Sequence, residues 1–221
     1  MRPQPQVDDE AMKIDVWSDF VCPFCYMGEA LLQQALKTYD GEVSITYHSY
    51  QLMPELAEDT AINPTDLLVQ ERGMDPEQAA AANAQVTQRA ATLGLQYRLD
   101  QALAVNTRTA HRLSHFAAEH GKQHQLVRAL FDAYFTQGLN LREADTLADI
   151  AAQVGLDRER ARAVVVGDDY SQQVEADIQQ AQRLQISGVP FFMFNERLAV
   201  SGAQPVEVFQ QALQQASRPA N

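Results

Sequence analysis

The chain carries two cysteines, set two residues apart as Cys22-Pro23-Phe24-Cys25. Thiols at that spacing can close a small reversible disulfide, supply half of a zinc site, or pack as inert core side chains. A closed zinc site needs four ligands, and no second Cys-x-x-Cys or nearby histidine pair is present to complete one. Pro23 points to redox chemistry instead. Proline is pre-shaped for the first position of a helix, so Cys22 becomes the N-cap and Cys25 falls in the first turn, with both sulfurs on one side. A sulfur at an N-cap meets unpaired N–H groups and the positive end of the helix dipole, which favours thiolate over thiol. Cys22 is therefore the expected nucleophile, facing solvent. Cys25, turned toward the body of the protein, is the expected resolving thiol, less solvated and harder to ionise.

Such a pair needs a strand to deliver it and a helix to hold it. Ile14 and Val16 alternate with Lys13, Asp15 and Trp17, predicting a short strand that begins at Met12 or Lys13 and runs into the cysteine loop. Cys25, Gly28, Leu32, Ala35, Leu36 and Tyr39 follow helical spacing, and Asp40-Gly41 stops the run. Val43, Ile45 and Tyr47 alternate again, so strand, helix and strand form a right-handed βαβ unit with parallel strands. The cysteines then sit at the carboxyl end of the first strand, where open α/β sheets place their sites.

From Met53-Pro54 strand signals stop. Helical segments are predicted over residues 64–72, 76–93, 107–120, 122–137, 146–154, 157–166 and 169–185, punctuated by Gly73, Gly94, Gly121, Gly138, Gly155 and Gly167. Strand chemistry returns at residues 189–194, with a turn at Asn195-Glu196, a hairpin partner over 197–200, and a last helix opening with Pro205. The fold class is α/β: a small sheet domain over residues 12–54 and 167–217, an all-helical subdomain inserted at 55–166, a flexible extension at 1–11 and a tail at 218–221.

At 221 residues and 46% hydrophobic content the chain can bury a sizeable core without disulfide staples. Its formal net charge of −12 argues against nucleic acid, whose phosphates require clustered Lys and Arg. No apolar run reaches signal-peptide or membrane-span length, which implies a soluble, cytoplasmic protein without a membrane partner. In that compartment a disulfide is catalytic or redox-sensing rather than structural. Elsewhere, Asn106 or Thr107 suits an N-cap, and His111 and His115 share a helix face without a third metal ligand at the required spacing. No metal is expected, His111 fits an interdomain hydrogen bond or a surface position, and His120 and His124 are assigned no role. Phe24, between the cysteines on an exposed turn, suits an apolar substrate rim. Phe191, Phe192 and Phe194 suit sheet core.

Three stretches together resemble the DsbA-like oxidoreductases of the thioredoxin superfamily, and most closely the FrnE-like group: residues 18–28 around the cysteines, Asn106 to Arg112, and Ser187-Gly188-Val189-Pro190-Phe191-Phe192. The resemblance implies a thioredoxin-like fold with a helical insertion. It also implies attack by Cys22, resolution by Cys25, a cis peptide at Pro190 facing the disulfide, and backbone pairing of Val189 with a thiol substrate. Pro23, Phe24, Asn106 and His111 would line the substrate site, with the helix start at Asn106 overhanging the cysteines. Two departures stand out: Pro23-Phe24 lacks the histidine of strongly oxidising relatives, and there is no second cysteine pair. The implied function is thiol–disulfide exchange with protein or small thiols, with the cysteine pair as the redox group and no other cofactor beyond glutathione as co-substrate. Similarity to kappa-class transferases and hydroxychromene-carboxylate isomerases raises a glutathione-dependent alternative, in which Val189 with Ser201, Gly202 and Gln204 would hold the tripeptide. Those relatives carry serine at the Cys22 position. A non-catalytic peptide-binding module is the third reading.

Overall fold

The computed structural model describes residues 11–218. Apart from Ala11 and Arg218, the expected extension at 1–11 and tail at 218–221 lie outside the described residues. Strand β1 (Met12–Ser18) leads into helix α1 (Pro23–Leu36) and strand β2 (Val43–Ser49). There follow β3 (Ala61–Ile62), α2 (Pro64–Arg72), α3 (Pro76–Thr92) and β4 (Ala104–Val105). Next come α4 (Arg108–Glu119), α5 (Gln123–Phe135), α6 (Ala144–Gln153), α7 (Arg158–Val166) and α8 (Ser171–Arg183). Hairpin β5 (Phe191–Phe194) and β6 (Leu198–Ser201) and helix α9 (Val206–Ala216) complete the chain.

The main sheet has the order β2-β1-β5-β6, with β1 parallel to β2 and antiparallel to β5. Alternation along the strands sorts the side chains onto two covered faces. Ile14, Val16, Phe192 and Phe194 join the large core with α1 and α9, while Trp17, Phe191 and Met193 face Ala181 and Ile186 in and after α8. Trp17 is thus core, not the solvent side of a one-faced strand. Phe209 of α9 meets Phe192 edge-to-face at 4.9 Å, and truncating a ring so buried costs about 3–5 kcal/mol. The same large core runs without a break from the sheet into α4, α5, α6 and α7.

Helix ends differ from expectation where backbone or capping decides. Tyr39 lies beyond α1, which closes at Lys37, and its hydroxyl meets Ser217 at 2.9 Å. Helix α8 begins at Ser171 because Tyr170 is left-handed, φ 68°. Pro205 is the N-cap of α9, with ψ 152°, not its first residue. The β3–β4 ladder is short enough to leave no alternation signal, and it lies inside the stretch expected to be purely helical.

Charged groups fasten the layers. Arg112 of α4 is buried and donates to the carbonyls of Val164, Val165 and Asp169, satisfying the open C-terminal end of α7. Burial lowers its pKa. His48 of β2 bonds Asp15 at 2.7 Å and Asp177 of α8 at 2.8 Å, and stacks on Trp17 at 4.5 Å. Burial alone would favour neutral imidazole, but the two carboxylates prevail and raise His48 to about 9. Asp177 also accepts from His115 and from the Ser49 N–H. Burial pushes against its ionisation, yet these bonds hold its pKa well below the usual carboxylate range.

Candidate active site

Where β1 ends, the chain turns through Asp19 to Cys22, closed by the Cys22 N–H on the Asp19 carbonyl at 3.1 Å. Cys22 is the N-cap of α1, extended at φ −86° and ψ 113°, with Pro23 opening the helix. The Cys25 N–H returns to the Cys22 carbonyl at 3.0 Å, so both sulfurs are held on one short turn. The Cys22 thiol points to the Val189 carbonyl, Sγ to O 3.7 Å. Val189-Pro190 is a cis peptide, and the Pro190 carbonyl accepts the Gly202 N–H at 2.8 Å.

Cys22 does not face open solvent as its N-cap position predicts. It is 3% exposed and Cys25 2%. The Val189 carbonyl meets its thiol, and the Tyr97 hydroxyl donates to the adjacent Pro23 carbonyl at 2.6 Å. The two sulfurs differ in environment all the same. Burial pushes the Cys25 thiol well above its ordinary pKa, a hydrogen bond with Cys22 and the charge of Cys22 add to the rise, and the Asp19 N–H opposes it.

Asp19 is a residue to which the sequence assigned no role. It is fully buried; Oδ2 accepts the Leu52 N–H at 2.8 Å, and Oδ1 has no hydrogen-bond partner but stands 3.5 Å from His111 Nε2. Its own N–H reaches Cys25 Sγ at 3.5 Å. His111 belongs to this layer. At 2% exposed, with Nε2–H donating to the Tyr50 carbonyl and its ring on Phe20, it lies beneath the cysteine turn rather than at a substrate surface, because it occupies the buried face of α4. Asn106 is likewise occupied. Its Oδ1 accepts from the Arg108 N–H and from Gln51, and its Nδ2 donates to Leu56 and Pro54, which ties the start of α4 to the loop after β2.

Phe24 projects outward, 38% exposed, with the Arg89 guanidinium 5.6 Å from its ring centre. Arg89 also donates to the Ala203 carbonyl. Gly202, at φ 83°, binds Pro190, and Gln204 folds back on the Ser201 carbonyl, so the 201–204 turn stands behind the proline. Arg89 and Tyr97 left no local signal, since both reach the site from across the insertion. His124, with no role expected, pairs with buried Glu29 at 2.7 Å beside Tyr47. His115 turns to Asp177 and Ser49.

A strand delivering a Cys-x-x-Cys to a helix N-terminus, faced by a cis-proline loop, is an arrangement of the thioredoxin-like fold. Residues 13–214 match the model of the DSBA-like thioredoxin domain, and the chain belongs to that family. It is similar to a probable DsbA oxidoreductase from Streptomyces coelicolor, 35% identical, covering 95% of this chain and 93% of that one at a TM-score of 0.90. The uncharacterized protein YwbO of Bacillus subtilis is 27% identical across 90% of this chain and 94% of its own length. The cytosolic disulfide reductase DsbM from Pseudomonas aeruginosa, solved with GSH, shares the fold at 16% identity, covering 92% of this chain and 98% of that one with a TM-score of 0.65.

Proposed function

We propose that the protein is a thiol–disulfide oxidoreductase working through Cys22 and Cys25, of the FrnE-like kind, in the cytoplasm. The observation that carries this reading is the geometry of the pair: Cys22 caps α1 with its thiol against the carbonyl of the cis Val189-Pro190 peptide, and Cys25 sits in the first turn against the Asp19 N–H. In the reducing direction the Cys22 thiolate attacks one sulfur of a substrate disulfide, and the first substrate thiolate leaves. Cys25 then loses its proton and attacks Cys22 Sγ. The second thiolate departs and the protein retains a Cys22–Cys25 disulfide, having given up two electrons; the oxidising direction is the reverse. The exchange needs two sulfurs and no further redox group.

Residues 12–54 and 167–217 form the exchange domain in this reading, and the insertion at 55–166 supplies Tyr97 and Arg89 to its rim. Phe24 offers an apolar contact to an incoming thiol, and the Val189 backbone pairs with its extended part. Glutathione serves as the small thiol partner, in keeping with the glutathione-bound relative that shares the fold.

Equilibration in glutathione redox buffers, followed by thiol trapping and mass measurement, tests the proposal. The expected result is a reversible two-electron transition confined to Cys22 and Cys25 and lost when either becomes serine. Turnover surviving the double Cys→Ser substitution would overturn it.

A further inference from the structure

Arg89 stands in the last turn of α3, in a part of the chain that sulfur exchange itself does not use. Its backbone is fixed: Ala90 beside it is fully buried, and the Thr92 hydroxyl donates to the Arg89 carbonyl at 2.7 Å. Its side chain is exposed and touches both walls of the redox site. On one side the guanidinium lies 5.6 Å from the centre of the Phe24 ring, between the two cysteines. On the other, Nη2–H donates to the carbonyl of Ala203, the residue after the Gly202 that holds Pro190.

Neither contact is with an anion. The arginine ion pairs among the described residues belong to Arg108, Arg158 and Arg162. Arg89 therefore brings a positive charge, unpaired among those residues, to the rim of the redox site in a chain of formal net charge −12. A guanidinium offers five donors in a planar fork matched to a carboxylate, whereas a single carbonyl engages only part of it. The site behind it is tight, with Cys22 only 3% exposed, which suits a small disulfide better than a folded chain.

We propose that Arg89 is the subsite for a carboxylate on the non-reacting end of a small thiol or disulfide substrate, so that the site selects anionic disulfides over neutral and cationic ones. The proposal rests on the exchange reading above. The carboxylate takes the guanidinium while the substrate sulfur meets Cys22. The covalent step is unchanged: Cys22 forms the mixed disulfide, the first thiolate leaves, and Cys25 expels the second.

The test uses the full-length reduced protein and three disulfides: glutathione disulfide (anionic), hydroxyethyl disulfide (neutral) and cystamine (cationic). Rate constants for oxidation of the cysteine pair are measured by acid quench and thiol counting. Each is divided by that of dithiothreitol with the same disulfide, which removes intrinsic reactivity. Wild type should favour glutathione disulfide over cystamine by about tenfold, the scale of one charge-assisted contact. The preference should shrink with added salt, fall to within about twofold in Arg89→Gln and be partly kept in Arg89→Lys. Because the readout is a ratio, a general loss of activity does not imitate this result. An equal loss for all three disulfides in Arg89→Gln would overturn the subsite and leave Arg89 a tie between Phe24 and Ala203, as would a preference that Arg89→Gln leaves unchanged. If no disulfide oxidises the wild-type pair, the exchange reading itself falls, and the subsite with it.

Discussion

Gly28 lies so close to Pro190 that a Cβ on it would stand 2.9 Å from the proline Cγ and 3.0 Å from Cζ of Phe192. The glycine thus sets how nearly α1 approaches the loop whose Val189 carbonyl meets Cys22. Gly28→Ala should push that loop outward and strain the Phe192–Phe209 contact, destabilising the fold by about 1–3 kcal/mol, the usual cost of overpacking. Disulfide exchange should slow at temperatures where the variant is still folded. Thermal melts with single-turnover rates check both; an alanine variant that melts and reacts like wild type would refute the assigned approach.

The environments of the two sulfurs predict unequal reactivity. Limited iodoacetamide treatment of the reduced protein near neutral pH should label Cys22 first, and Cys25 should remain unlabelled until much higher pH, since burial holds it as a thiol. Because Cys22 is also nearly enclosed, its labelling should accelerate in mild denaturant well before global unfolding. Cys25→Ser should accumulate a mixed disulfide on Cys22, visible by intact mass. Equal labelling of both cysteines in native protein would refute the assignment of roles, and faster labelling of Cys25 would reverse it.

His48 makes a pH prediction with a definite sign. Its folded pKa of about 9 lies above the ordinary histidine value of 6.5, so its stabilising effect is complete below that ordinary value and fades as pH rises through 9. The size is on the order of 3 kcal/mol. Urea unfolding at mildly acidic and alkaline pH should show this loss in wild type, and His48→Asn should show much less of it. Trp17, the only tryptophan, stacks on this ring and should report the same titration through its fluorescence. A Trp17 signal flat across that range would count against the charged stack.

What could be foreseen follows from the range of the interactions. Cys22, Pro23 and the glycine stops act within a turn of themselves, so the start of α1 and the stops at Gly73, Gly94, Gly121 and Gly138, all at positive φ, were legible in local chemistry. The site's surroundings were not. Asp19 is read together with His111, Pro23 with Tyr97 and Phe24 with Arg89, and each of these partners is set by how the insertion folds back. Sequence spacing put Cys22 correctly at the N-cap but not its burial, because whether an N-cap is open depends on what lies opposite, here Val189. The His111 and His115 spacing resembled half a metal site, yet each ring is claimed by a different neighbour.

Asp19 yields the last prediction. Its carboxylate is fully buried, and its negative charge is one of the influences that raise the Cys25 pKa, while its backbone N–H to the sulfur works the other way. Asp19→Asn removes the charge, keeps the N–H, and leaves an amide oxygen to accept from Leu52. Only one of the opposing influences is thereby lost. The Cys25 pKa should therefore fall, most clearly in a Cys22→Ser background where a single thiol titrates and the coupling between the sulfurs is gone. Ultraviolet thiolate absorbance followed with pH, in Cys22→Ser and in Cys22→Ser with Asp19→Asn, measures the difference. A Cys25 titration that stays in place, or moves upward, would mean that the Asp19 charge does not reach the sulfur across this short buried gap.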